Sequence, residues 1–328
     1  MKKTTFIFFI IFSLSTQAQK TISIGMDHPY TYTLNSNSLK NDIDCNSHDN
    51  FPNGNCRSKA NQEIVNYLSK ALKLPVEIVN IENRELLKED FYMGKLDFVM
   101  FHVNDFEEAI HTHRNLVEPL LTVTEQFEAN HPQTDYYYAN FVVKKNSDLK
   151  SIKDLRGKKI GFRCYSTSGS DIPFMMLKDN NINPPEDISV VRYPDIKQQV
   201  ESFIKGEINS IVIWDYYFKH YLHSHNLNTD DFRIIAKYKI PNRVFAANKS
   251  RVSKSMQTKF VKAMINMPKD KLIGQSFRGV VPYQSQNYKN VLLLLKKYRK
   301  LNNDNKGCEN MIMPDKARIW RTKGFSEN

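Results

Sequence analysis

The chain has 328 residues, of which 41% are hydrophobic and 12% aromatic, enough for two domains that each bury a core. The formal net charge is +12, yet 35 acidic residues are scattered among 47 basic ones, without a long Lys/Arg block. This pattern favours a generally cationic surface and argues against a nucleic-acid-binding protein.

The first 18 residues have the pattern of a secretory signal peptide. Lys2 and Lys3 precede an apolar run from Phe6 to Leu14, and small residues follow it. Cleavage is predicted after Ala18, and no later stretch reaches the roughly 20 apolar residues that a membrane span needs. The sequence therefore predicts an exported, soluble protein without membrane insertion, whose formal charge is 12 − 2 = +10 after the signal lysines are lost.

The first part of the mature chain alternates strand and helix patterns. Apolar runs predict strands at 20–27, 75–81 and 95–101. Helical spacing of apolar residues predicts helices between them, at 58–74 and 84–94. Gly94 is expected to close the second helix. This order predicts a mostly parallel α/β sheet flanked by helices.

The alternation of strand and helix patterns resumes after a longer strand pattern, YYYANFVVKK, which begins at Tyr136. Further strands and helices are predicted at 158–162, 188–193, 196–206, 208–217 and 232–240, followed by helices around 255–267 and 288–301. Because no low-complexity linker separates the two halves, we expect two lobes joined by shared strands. The predicted lobe boundaries are 20–139 plus 241–328, and 140–240.

Four cysteines in an exported chain can pair in three ways. Cys45 and Cys56 bracket a polar, turn-rich segment, and a bridge between them would stabilise the protein by roughly 3 kcal/mol. A histidine and an aspartate between them leave a metal-binding loop as the alternative, which an oxidising compartment disfavours. Cys164 and Cys308 are left over, and their pairing stays open.

A row of small hydroxyl residues, Ser166 to Ser170, lies where the strand pattern at 158–162 gives way to an amphipathic helix. One interpretation is a helix N-cap, because Ser and Thr side chains accept hydrogen bonds from the free amides of a first turn. The other is an oxyanion site, because those amides and the helix dipole attract negative charge. Pro173 is tolerated in a first helical turn under either interpretation.

The ordered set of motifs resembles the phosphonate-binding branch of bacterial periplasmic solute-binding proteins, the partners of ABC importers. The matching segments are MGKLDFVMF, YYYANFVVKKNSDLKSIKDLRGKKIGF, STSGSDIP, VESFIKGEINSIVIWD and FRIIAKYKIPN. The resemblance covers about 22–267, and the spacing of DLRGKKIGF to STSG is its most specific part. It implies a type II periplasmic binding fold, with two α/β lobes, two crossover strands and a ligand cleft between the lobes.

The resemblance also implies a function and a set of ligand contacts. In the family a Ser-Thr-Ser run at a helix start holds the phosphonate oxygens, and Ser166, Thr167 and Ser168 match it here. The implied protein captures a small anionic ligand for the permease of an ABC importer, which it contacts transiently. It is expected to be a monomer, without catalysis, cofactor or metal. A periplasmic sensor or accessory protein of the same fold is the alternative.

Several positions depart from the family pattern. The segment from Arg163 to Tyr165 replaces a Gly-Asp-Pro type of turn, and both of these end residues are candidate ligand contacts. Phe101, with His102 beside it, stands where relatives have a ligand-contacting tyrosine. Lys197 aligns loosely with an acidic residue that receives a ligand amine. Together these changes favour a plain anion over 2-aminoethylphosphonate.

The remaining candidates follow predicted strands and are expected on the rim of the cleft. His28 and His102 would hydrogen-bond to ligand or solvent, with a metal site that includes Cys164 as the alternative. A catalytic thiolate at Cys164 with a histidine base has no support beyond shared location. Trp214 would cover the ligand with its ring, and the carboxylate of Asp215 would orient hydrogen-bond donors.

Overall fold

The structure is a computed structural model, which describes residues 20–27, 54–81, 83–126, 132–164, 166–194, 196–273, 275, 277–298 and 319–323. Several predictions fall outside the described residues: the signal peptide at 1–18, the rim residue His28, Tyr165, Cys45, which was predicted to pair with Cys56, and Cys308, whose pairing was left open. The side chain of Cys56 is likewise not described, so the Cys45–Cys56 bridge stays a prediction.

Strands and helices alternate along the described ranges. The strands are β1 (Ile22–Asp27), β2 (Val76–Ile81), β3 (Phe98–Phe101), β4 (Val117–Thr124), β5 (Tyr136–Lys144), β6 (Lys159–Arg163), β7 (Ser189–Tyr193), β8 (Ser210–Trp214), β9 (Phe232–Pro241), β10 (Val244–Asn248), β11 (Gly279–Pro282) and β12 (Ile319–Lys323). The α-helices are α1 (Gly54–Leu72), α2 (Arg84–Tyr92), α3 (Val103–Thr112), α4 (Ile172–Asp179), α5 (Ile196–Lys205), α6 (Asp215–Ser224), α7 (Lys254–Ile265) and α8 (Ser285–Tyr298). Within these ranges every helix is too short or too polar to cross a bilayer.

The strands form two sheets, which divide the molecule into two lobes. The seven-stranded sheet of lobe 1 has the order β11-β4-β10-β3-β1-β2-β12, and the five-stranded sheet of lobe 2 has the order β7-β6-β8-β5-β9. Parallel pairing is confined to β2-β1-β3 in lobe 1 and to β7-β6-β8 in lobe 2. The predicted two-lobed α/β fold is confirmed. Each sheet is mixed rather than mostly parallel, because strands next to the crossovers return antiparallel.

Two crossings connect the lobes, between β4 and β5 and between β9 and β10. Strands β5 and β9 pair antiparallel along their length, from Tyr136 opposite Pro241 to Lys144 opposite Phe232. The lobe boundaries predicted from the sequence, after residues 139 and 240, fall within these two strands. They stay a prediction at that precision.

Helices cover both faces of the lobe 1 sheet. Apolar residues of α1 and α7 pack on one face, where Phe98 of β3 stacks on Phe260 of α7 with ring centroids 3.9 Å apart. Helices α2, α3 and α8 cover the other face. Gly25 of β1 allows α2 to approach closely, because a Cβ there would lie 2.8 Å from a methyl carbon of Leu87. Ile172 of α4 joins this second cluster and so ties lobe 2 to lobe 1.

Phe260→Ala should destabilise the protein by about 3–5 kcal/mol, because it removes a fully buried ring and leaves a cavity beside Phe98. Ile265→Ala, in the same helix, is the matched control, since Ile265 is 46% exposed. Urea unfolding followed by circular dichroism measures both variants. Equal losses in the two variants would contradict the packing described for α7.

Candidate functional site

Charged side chains meet where the three parallel strands of lobe 1 end. Asp27 is the last residue of β1, Arg84 opens the helix after β2, and His102 follows β3. Because parallel strands place their carboxyl ends at one edge of a sheet, these side chains converge. His102 Nε2 lies 2.7 Å from Asp27 Oδ2, and Arg84 interacts electrostatically with the same carboxylate.

Arg84 is held in place by a second carboxylate. Asn83 caps helix α2 by accepting hydrogen bonds from the Glu85 and Leu86 amides, which fixes the helix start that carries Arg84. The Arg84 Nε and Nη2 groups both donate to Asp105 Oδ2 in α3, at 2.8 Å and 2.6 Å. The pair orients the guanidinium toward the edge of lobe 1 that faces lobe 2.

The hydroxyl residues of lobe 2 form the turn that joins β6 to α4. Residues 167–171 make a π-helical turn, and Ser166 is its N-cap, accepting from the Gly169 amide at 3.1 Å. Ser170 Oγ accepts from Arg192 Nη1 of β7 at 2.9 Å. The cap interpretation of the sequence therefore applies to Ser166. We refer to residues 166–171 as the hydroxyl turn.

Thr167 differs from its neighbours in the hydroxyl turn. Its side chain is buried, with the residue 5% exposed, and its Oγ1 has no hydrogen-bond partner in the described part of the chain. A buried hydroxyl left unsatisfied costs about 1–3 kcal/mol. A ligand oxygen at this position would remove that cost, and Ser168 is buried beside it.

The two lobes meet at the hydroxyl turn. Asn104 Nδ2 of α3 donates to Asp171 Oδ2, so a hydrogen bond joins lobe 1 to the last residue of the turn. Asp105, the partner of Arg84, is the next residue along α3. We call this group, which consists of Asp27, Arg84, His102, Asn104, Asp105 and Asp171, the seam.

Ionisation in the seam reflects competition between burial and nearby charge. Burial alone would raise the pKa of Asp27, but His102, Arg243 and Arg84 outweigh it and hold the pKa well below its usual range. Burial raises the pKa of Asp171 to about 7, against the attraction of Arg84. Asp27 is hydrogen-bonded to His102, whereas Asp171 is hydrogen-bonded to the neutral amide of Asn104.

A second buried acid lies at the end of the lobe 1 sheet. Glu125 Oε1 accepts from Arg243 Nη2 at 3.2 Å. Burial nevertheless raises the pKa of Glu125 to about 7, since desolvation outweighs the attraction of Arg243 and Asp215 adds like charge.

The residues that the sequence suggested as ligand contacts lie in different parts of the structure. His102 lies in the seam. Arg163 packs against the hydroxyl turn, because a Cβ added at Gly169 would lie 2.9 Å from the Cβ of Arg163. Phe101 is 1% exposed and packs edge-on against Phe91 in the lobe 1 core. Lys197 is 60% exposed on α5, where its ion-pair partner is Glu201.

Aromatic side chains cluster at the end of β8, within lobe 2. Trp214 packs edge-on against Tyr137, with ring centroids 6.1 Å apart, and lies 5.4 Å from the Tyr216 ring. The Asp215 carboxylate accepts from the Tyr138 amide at 3.3 Å, and burial raises its pKa. Asp215 therefore fixes the junction between β5 and α6.

The metal and nucleophile alternatives gain no support. Across the described ranges, no group of three or more His, Cys, Asp or Glu side chains is placed to hold a metal ion. Among the described residues, Asp27 and His102 have no third ligand of that kind beside them. Cys164 is disulfide-bonded, so it offers no thiolate.

Sequence reasoning missed Arg84, Asn104, Asp105, Asp171 and Arg243. Three of them had a usable signal, because Arg84, Asn104 and Asp105 are polar residues that follow closely on buried strands. Asp171 is the last residue of the segment STSGSD, but only hydroxyl residues of that segment were predicted as ligand contacts.

Two surface grooves lie elsewhere and contain none of these residues. One, of about 550 Å³, is lined by residues of α3 and α8 such as Ile110 and Leu292. The other, of about 370 Å³, lies between β9 and α8 and includes Tyr238. Neither presents a buried polar atom without a partner, so the hydroxyl turn and the seam are the better candidate site.

The chain resembles known proteins over most of its length. Residues 57–288 match the profile of a family described as the phosphonate periplasmic substrate-binding protein of ABC transporters. No curated protein matches the chain.

Three solved structures show the same fold at low identity. A Xanthomonas citri protein bound to ATP has a TM-score of 0.63 and 14% identity, with 85% of this chain and 98% of that chain covered. PhnD1 from Prochlorococcus marinus in complex with methylphosphonate has a TM-score of 0.59 and 16% identity, with 86% and 99% covered. A binding-protein component of an ABC phosphonate transporter from Pseudomonas aeruginosa has a TM-score of 0.57 and 14% identity, with 88% and 90% covered.

Glu125→Gln should flatten the pH dependence of stability between about pH 4.5 and pH 7. Burial raises the pKa of Glu125 from 4.5 to about 7, so within this window the folded protein binds more protons than the unfolded chain. The free energy of unfolding of the parent protein therefore falls as pH rises, by an amount on the order of 3 kcal/mol. Urea unfolding at about pH 5 and about pH 8 measures the difference from the variant. Parallel pH profiles for the two proteins would contradict it.

Proposed function

Because this chain belongs to the phosphonate-binding family of periplasmic substrate-binding proteins of ABC transporters, we propose that it captures a small phosphonate-like or phosphate-like oxyanion at the hydroxyl turn. The family is one of transport proteins rather than enzymes. The chain would then deliver the anion to an importer permease, with which it associates transiently. A monomer is sufficient for this role.

One observation carries the assignment of the site. The Thr167 hydroxyl is buried at the start of a helix without a hydrogen-bond partner in the described ranges, whereas the Ser166 hydroxyl beside it is used as a cap. An oxyanion would accept from Thr167 Oγ1, whereas the amides of Gly169, Ser170 and Asp171 already donate to Ser166. PhnD1, a relative in fold, was solved with methylphosphonate, which supports this ligand class.

The surrounding residues favour a ligand with a small organic part. Trp214 and Tyr137 provide aromatic surface near lobe 2, and Arg84 supplies positive charge from lobe 1. Lys197 lies on the exposed face of α5 and does not contribute to the turn.

The proposed function places the mature protein in the periplasm. The family is periplasmic, and the signal-peptide pattern of residues 1–18 accounts for export. The oxidising environment would also permit the bridge predicted between Cys45 and Cys56. Mass mapping of the non-reduced mature protein tests both points, since it gives the N-terminus and the cysteine pairing.

Thr167→Ala should weaken binding of methylphosphonate by roughly ten- to a hundredfold, because a hydrogen bond to a charged group contributes about 1.5–3 kcal/mol. Stability should not fall, since the Thr167 hydroxyl has no protein partner among the described residues to lose. Titration calorimetry measures the affinity, and thermal unfolding without ligand measures the stability.

Ser166→Ala is the matched control for this experiment. Loss of the cap to Gly169 should cost about 1 kcal/mol of stability and change affinity less than Thr167→Ala does. Thr167→Ser, which keeps the hydroxyl, should bind nearly as well as the parent protein. Unchanged affinity in Thr167→Ala, with a lowered melting temperature, would show that the hydroxyls serve only as caps.

A further inference from the structure

An acid within a proposed anion site needs an explanation. Asp171 closes the hydroxyl turn and occupies the N-cap position of α4, yet its side chain makes no capping hydrogen bond. Its carboxylate instead accepts from Asn104 of the opposite lobe. An ionised carboxylate beside an oxyanion would oppose binding, so a plain anion receptor gains nothing from it.

The turn places this carboxyl next to the candidate ligand position. Thr167 and Asp171 are four residues apart in one helical turn, and side chains at that spacing are neighbours on a helix surface. The Thr167 hydroxyl is buried without a partner in the described ranges. An oxyanion that accepts from Thr167 would therefore lie within reach of Asp171.

We propose that Asp171 is a specificity-determining residue that shares a proton with the bound oxyanion, so that the site selects phosphonate- or phosphate-like groups over sulfonates and sulfate. A phosphonate or phosphate can carry an O–H, which would donate to a carboxylate oxygen of Asp171. Sulfonates and sulfate are fully deprotonated near neutral pH and have no proton to offer. This inference rests on the proposed function and names the chemistry of its ligand.

The groups around Asp171 suit a shared proton better than an ion pair. From lobe 1 it faces Asn104, with Asp105 and Arg84 behind, and from lobe 2 it faces Arg192. Arg84 already donates to Asp105, and Arg192 donates to Ser170. Within the described ranges, the hydrogen bond that Asp171 accepts therefore comes from the neutral Asn104 amide, and neither of these two cations donates to it. Burial raises its pKa to about 7, near the pH at which the site would work.

Anion selectivity tests the proposal directly. Titration calorimetry at about pH 8, where most Asp171 carboxyls are ionised, would compare methylphosphonate with methanesulfonate, which have similar size and shape. The parent protein should prefer methylphosphonate. Asp171→Asn should narrow the preference for methylphosphonate by roughly tenfold or more, because it replaces the ionised acceptor of the ligand proton with a weaker, neutral amide and removes the charge that repels the sulfonate.

A matched variant separates this role from a general loss of charge. Asp179→Asn changes an aspartate at the other end of α4, where the carboxylate pairs with Lys297 and Tyr298. It should leave the preference unchanged. Asp171→Ala provides a second test at the same position, with thermal unfolding to establish that each variant is folded.

The outcomes distinguish this inference from the proposed function. Equal gains in affinity for both anions in Asp171→Asn would show that Asp171 merely repels negative charge, and would overturn the proposal. An unchanged preference would overturn it as well. If the parent protein binds neither these anions nor inorganic phosphate, the proposed function itself is wrong. If the parent binds methylphosphonate and Thr167→Ala weakens it, only the role of Asp171 is in question.

Discussion

A carboxylate taken out of water is costly unless cations or donors replace the lost solvation, and the two lobes meet at such groups. Within lobe 1, Asp27 is paired with His102, and Asp105 with Arg84. Across the contact between the lobes, Asp171 of lobe 2 accepts from the side-chain amide of Asn104. This hydrogen bond and the packing of Ile172 in the second lobe 1 cluster join the two lobes.

The sequence predicted the elements whose signal is local. The patterns for β1, β2 and β3 and for helices α1 and α2 were confirmed, as were the two-lobed fold and the family resemblance. Strands β4, β10, β11 and β12 were not predicted. The last three are four or five residues long, and each is a strand because it pairs with a segment far away in the sequence. Periodicity within so short a segment carries no information about such a partner.

The candidate site was likewise predictable only where its sequence signal is local. The hydroxyl turn can be recognised from one short segment of the sequence. Arg84 and Asn104 can be assigned to the candidate site only from the structure, in which separate strand ends lie close to the turn. Phe101, which stands where relatives have a ligand-contacting tyrosine, is buried in the second lobe 1 cluster. All four residues of β3 are buried because helices cover both faces of the sheet, so alternation could not show which way Phe101 points.

The position of β12 has a consequence for the order in which the lobes can form. Lobe 2 takes its strands from one continuous stretch, 136–241, so its sheet can close before the later residues have folded. Lobe 1 pairs β2 with β12, whose residues lie more than two hundred positions later. Until β12 is in place, β2 presents an unprotected edge, which invites pairing with other chains. The lobe that begins first along the chain is therefore completed last.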